Sequence, residues 1–155
     1  MPKVNPVRKK SPRKKNPFSN GVKRFGVSLE EDLLKELDAL VKAHKFPNRS
    51  QAVRSLIRNS VVVQNWEDNK EVAGCLVIVY DHHKRDLMNK SVTLQHAYEE
   101  LVLSVQHVHL DHHNCLEMVA LKGKASKLKE LADKLIALKG IKHGQLVMSS
   151  VGSVK

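Results

Sequence analysis

Two histidines set two apart, with a cysteine six residues further on, carry the clearest chemistry in this sequence: His107, His109 and Cys115. On a strand, residues i and i+2 share a face, so both imidazoles point the same way. Residues 111–114 read as a turn, and Cys115 opens the returning strand. Two imidazoles and a thiolate therefore converge from one hairpin. A metal usually takes at least one more ligand. His96, on the preceding helix, is the leading candidate; Asp111, His112 and His113 are nearer in sequence. Three nitrogens and one sulfur suit Zn(II), Ni(II) or Cu(II), with tetrahedral geometry pointing to zinc and square-planar geometry to nickel or copper. Glu117 shares the strand face of Cys115, where it can orient a ligand or serve a hydrolytic zinc as base. A lone strand histidine is most often exposed or hydrogen-bonded in place, but seven of the nine histidines fall between positions 82 and 115. The pairs His82-His83 and His112-His113 sit near chain turns, where at least one ring of each faces solvent. Cys75, inside an apolar run, reads as a buried core thiol. No catalytic motif accompanies the cluster, so an enzyme is not expected.

These donors need elements to hold them. Residues 75–80 read as a strand, 84–100 as a helix, 102–110 as an alternating strand and 115–121 as another strand. Leu128, Leu131, Leu135 and Leu138 recur at helical spacing over 125–138, closed by Gly140, and 146–151 reads as a last strand. The order βαββαβ is the ferredoxin-like plan. The fold class is α+β.

Upstream the pattern differs. Residues 23–29 alternate, with Phe25, Val27 and Leu29 on one side and Arg24, Gly26 and Ser28 on the other. Acidic residues 30–32 suit a helix N-terminus, and Leu33, Leu34, Leu37, Leu40 and Val41 follow at helical spacing. After a break at 46–49, Ser50 is placed to cap a second helix carrying Ala52, Val53, Leu56 and Ile57 on one face. A single strand cannot satisfy its own ladder, so the unit is expected to pair with a second copy. The resulting ribbon can enter a major groove. Arg24 and Ser28 would then reach base edges, Gly26 would permit close approach, and Arg49 with Ser50 at the helix start would hold a phosphate. Residues 61–71 extend this helix and then link, which divides the chain into an arm (1–22), a DNA-binding unit (23–62), a linker (63–72) and a metal-binding domain (73–155).

Charge agrees with a polyanionic partner. The 155-residue chain carries a formal +11, and residues 1–22 hold seven cations, four prolines and no acid. Such a segment cannot bury enough apolar surface to order itself. No apolar run approaches the ~20 residues of a membrane span. Two cysteines are too few for a disulfide framework and fit a reducing cytoplasm.

Taken together, residues 23–29, 32–34 and 48–54 resemble the ribbon-helix-helix domain of the nickel-responsive transcriptional regulators. Residues 80–87, Gln95-His96, His107-Val108-His109 and 113–117 resemble their metal-binding domain. The resemblance spans about 22–151. It implies a tetramer, a dimer of dimers in which two ribbon-helix-helix pairs flank a core of ACT-like domains. It also implies square-planar Ni2+ at the interface between core domains, with His107, His109 and Cys115 from one subunit, His96 from another and Glu117 beside the ligands. The metal-loaded form would bind double-stranded DNA at a palindromic operator and repress nickel uptake. A ribbon-helix-helix repressor with structural zinc, or a cobalt or copper sensor, is the alternative. This chain departs from the pattern where Gly26 replaces a common base-reading Thr or Ser. Gln51 and Ser55 replace carboxylates that some relatives use for an alkali cation, and the basic arm is unusually long.

Overall fold

The computed structural model describes residues 23 and 25–152; the arm and Arg24 lie outside them. Two helices come first, α1 (Glu31–Ala43) and α2 (Arg49–Glu67). There follow β1 (Glu71–Asp81), α3 (Arg85–Ala97), β2 (Val102–His109), β3 (Asn114–Lys124), α4 (Ala125–Ile136) and β4 (Ile141–Ser149). The four strands form one antiparallel sheet in the order β2-β3-β1-β4. That order, with helices α3 and α4 as the two crossovers, is the expected ferredoxin-like plan in an α+β chain.

Strand alternation decides where the core lies. Val72, Leu76, Ile78 and Tyr80 of β1, with Cys115, Val119 and Leu121 of β3, are buried on one face. Leu128, Leu131 and Leu135 of α4 pack against them, one helical turn apart. The opposite face carries Cys75, Val77, Val79, Leu116 and Met118, which are only half-buried. Cys75 is therefore not the core thiol expected from its apolar run; its register puts it on the face away from α4.

Four further expectations change. Residues 25–30 form no strand in this chain, because no neighbouring strand of the same chain supplies a ladder for their backbone. The segment expected as a linker at 63–72 is helix through Glu67, with strand from Glu71. Val62 and Trp66, one turn apart, pack onto the sheet domain's core, and the Trp66 indole N–H donates to the Ser149 carbonyl at 2.9 Å. The cap of α2 is Asn48, whose side chain accepts from the Gln51 N–H at 3.0 Å. Ser50 is inside the first turn. The last strand begins at Ile141, five residues early, because Lys142, His143 and Gln145 on an edge strand lack an apolar pattern.

Among the described residues, no helix is long and apolar enough to cross a membrane.

Candidate metal centre

The β2–β3 register places the key residues opposite one another: His107 faces Glu117, and His109 faces Cys115. Tyr80 of β1 lies across from Cys115 on the other side. The turn between the strands is built by Asp111, whose carboxylate accepts from the backbone N–H groups of His113 and Asn114, both at 2.8 Å. These bonds and the Asn114 amide hold its carboxyl down at about 2.

Cys115 is fully buried. Its Sγ lies 3.1 Å from His109 Nδ1 and 3.4 Å from His82 Nδ1. The donor atoms of His82, His109 and Cys115 all lie within 4.8 Å of one another. Burial pushes the thiol pKa up, and the nearby Asp111, Asp81 and Glu117 carboxylates push it the same way. Burial and the neighbouring rings push the His82 pKa down. A thiol with two close imidazoles is the donor chemistry of a borderline divalent transition metal, so the residues fit such an ion.

His107 stands beside this group, its ring centre 5.0 Å from that of His109. Its environment is a relay of polar contacts. The Tyr80 hydroxyl donates to Glu117 Oε2 at 2.7 Å, and the Gln95 amide donates to Glu117 Oε1 at 2.6 Å. With the hydroxyl proton committed to Glu117, the 3.2 Å contact to His107 Nδ1 must be donated by the imidazole. That leaves His107 Nε2 with its lone pair free. Glu117 is buried, and each of its oxygens accepts one hydrogen bond, from Tyr80 and from Gln95. Buried desolvation and the Glu117 bond push the Tyr80 phenol pKa well up.

His96 is exposed on α3 and joins none of the donor groups among the described residues. The third donor that the structure gathers is His82, which spacing alone did not single out. Tyr80 and Gln95 were likewise not singled out as partners of Glu117. The signal available for Tyr80 was its even-numbered place on the buried face of β1; for His82 there was none, since it follows the strand's end.

In the helical unit, Arg49 forms a two-pronged pair with Asp38 of α1, Nε to Oδ1 at 2.7 Å and Nη2 to Oδ2 at 2.8 Å. This pair locks α1 against the start of α2. Gly26 and Ser28 are exposed, and the space around Gly26 is open.

Residues 73–149 match the family described as NikR C terminal nickel binding domain, and residues 23–62 match the ribbon-helix-helix protein, copG family. The chain is 47% identical over 131 residues to a protein of Syntrophus aciditrophicus, covering 84% of this chain and 96% of that one. It is 49% identical over 130 residues to one of Nitratidesulfovibrio vulgaris, covering 83% and 94%. It is 46% identical over 133 residues to one of Pyrococcus furiosus, covering 85% and 96%. All three are provisionally named nickel-responsive regulators. With its two halves matched in order and its relatives covered nearly end to end, this chain belongs to the nickel-responsive regulator family.

Proposed function

We propose that this chain is a nickel-dependent DNA-binding transcriptional regulator, acting in the cytoplasm, that represses nickel-uptake genes when loaded with Ni2+. The observation that carries the reading is the buried Cys115 thiol beside ring nitrogens on a β2–β3 hairpin, in a chain whose N-terminal half is ribbon-helix-helix. His107, His109 and Cys115 are the ligands from one subunit, and His96 from a second copy completes them. Exposed His96 on α3 and the exposed edge strand β2 support a site finished by another chain. Tyr80, Glu117 and Gln95 hold His107 with Nε2 available. A bound nickel ion supplies a link between two chains, and so between the two arrangements of their DNA-binding units.

The assembly proposed is a homotetramer, a dimer of dimers. Phe25 and Val27 are 77% and 64% exposed, and they line one groove with Leu34, Leu37, Val53 and Ile57. A second copy covers these side chains when the 23–29 segments pair into a ribbon. Arg24, Gly26 and Ser28 then face the bases of a palindromic operator. Ser50 and the α2 N-terminus meet a phosphate; Arg49 serves there through its hold on Asp38. The basic arm adds phosphate contacts, each of which steepens salt dependence.

Linkage supplies the logic. Metal that favours the DNA-competent arrangement strengthens DNA binding by the factor by which DNA strengthens metal binding. The test is binding to the promoter regions of the chain's own gene and adjacent transport genes, with metal-free, nickel-loaded and zinc-loaded protein. Strong stimulation by nickel and little by zinc is expected. Equal binding in all three states would overturn the reading. It would favour the second one, a repressor with structural zinc, for which the His82–His109–Cys115 group within one chain is the supporting observation.

A further inference from the structure

A second cluster of nitrogen donors lies outside the thiol site. His83 follows β1, and His112 and His113 occupy the β2–β3 turn. All three are exposed, and their donor atoms lie within 4.8 Å of one another. Ring centres are 5.6 Å apart for His83 and His112, 5.4 Å for His83 and His113, and 4.9 Å for His112 and His113. From the geometry we infer a second divalent-metal site at His83, His112 and His113, separate from the Cys115 centre.

Three features make this more than a chance meeting of rings. The first is orientation. His83 Nδ1 contacts Asp81 Oδ1 at 3.1 Å, and the His83 backbone N–H donates to the same oxygen at 3.0 Å. An ionised carboxylate only accepts, so Nδ1 carries the proton and Nε2 keeps its lone pair. A carboxylate behind a histidine is how metal-binding imidazoles are commonly aimed. The second is rigidity at the other side. Asp111 ties the turn through the backbone N–H groups of His113 and Asn114 and through the Asn114 amide. The two rings are thus presented from a braced loop. The third is spacing. Ligands at about 2.0–2.1 Å from a metal stand roughly 3–4 Å apart, so exposed rings need only small rotations to close on an ion.

The site has no thiolate. Its ligand class is a borderline divalent cation that accepts imidazole, such as Zn(II), Ni(II), Co(II) or Cu(II), with the remaining positions filled by water. Its affinity is lower than that of the buried sulfur-containing centre. Its ligands come from two separate segments, so occupancy joins the end of β1 to the β2–β3 turn. Both segments also adjoin the first centre, where His82 and His109 lie 3.4 and 3.1 Å from Cys115 Sγ.

The test is zinc chloride and nickel chloride titration of the full chain by calorimetry, with elemental analysis of the product. His83→Ala/His112→Ala/His113→Ala should bind one equivalent fewer per chain, losing the weaker phase. The ultraviolet thiolate-to-nickel band should be retained. Against a Cys115→Ser background, adding the same three substitutions should again remove one zinc equivalent. Equal stoichiometry with and without the three histidines, in either background, would overturn the site. Loss of the thiolate band already in the unsubstituted chain would instead refute the nickel centre and leave this site standing. All three rings are exposed, so far-ultraviolet circular dichroism should be unchanged in the variants.

Discussion

Single side chains decide how this chain answers acid. Glu130 on α4 accepts from Lys134 at 2.8 Å, from the Tyr98 hydroxyl at 2.8 Å and from Lys127 at 3.0 Å. These partners hold its carboxyl down at about 2, below its usual 4.5. A depressed pKa in the folded state contributes stability that is full above the unfolded value and is lost as pH falls through the folded one. Glu130→Gln should therefore lower the urea midpoint at pH 7, and that difference should shrink between about pH 4.5 and 2. Chemical denaturation along that pH series checks it; a constant difference would show the pair to be electrostatically silent. Tyr80→Phe probes a buried contact. It strips Glu117 and His107 of one shared partner, a loss of about 1–3 kcal/mol for a buried bond to a charged group. The fold should persist, while nickel affinity falls by about 10–100-fold, as when a partner behind a ligand is removed. Unchanged nickel affinity in Tyr80→Phe would mean that His107 needs no such support.

At the level of elements, Asn69 joins the two halves. It sits at φ 51°, a left-handed conformation that asparagine tolerates better than most residues. There it ends α2, with the Lys70 N–H donating to the Asn65 carbonyl at 3.0 Å. Its side chain meanwhile accepts from the Ser126 N–H at 2.8 Å, capping α4, while the Ala125 N–H donates to the Lys70 carbonyl at 3.1 Å. One residue thus stops one helix and starts another 57 positions away. Asn69→Ala loses both the cap and the easy left-handed turn, about 2–3 kcal/mol together. Asn69→Gly keeps the turn and loses the cap, so about 1 kcal/mol. Urea unfolding of the two variants should rank them in that order; the reverse ranking would place the cost elsewhere.

At the scale of the whole molecule, one edge of the sheet leaves apolar side chains exposed. Strand β2 is an edge whose side chains, after the half-buried Val102, are all exposed in one chain. Leu103, Val105 and Val108 are among them. If His96 of a second copy completes the nickel site, His96→Ala should leave a folded oligomer of unchanged size. Its nickel affinity should drop more than about 100-fold, beyond the loss of a supporting partner. Sedimentation velocity and nickel titration check the two halves of this claim separately. A tight nickel site surviving in His96→Ala, but lost in His82→Ala, would move the fourth ligand into the same chain.

The βαββαβ order, the hairpin that brings His109 to Cys115 and the place of Glu117 on the strand face of Cys115 were legible in the sequence; that Glu117 lies opposite His107 was not. The legible features follow from short-range periodicity: strands show their faces every second residue, and α4 shows its leucines every third or fourth. The residues at 23–29 told of a strand by the same rule, yet one chain holds no ladder for it. Intervals along the chain told that the second helix extends past residue 61 but not that it stops at Glu67, because the reason is Trp66 packing onto a sheet still to come. Nor could they tell that Arg49 would meet Asp38, that Asn69 would cap a helix 57 residues on, or that His82 would stand 3.4 Å from Cys115. Local pattern specifies which way a side chain points from its own backbone; only the packed tertiary structure brings residues from distant elements into contact.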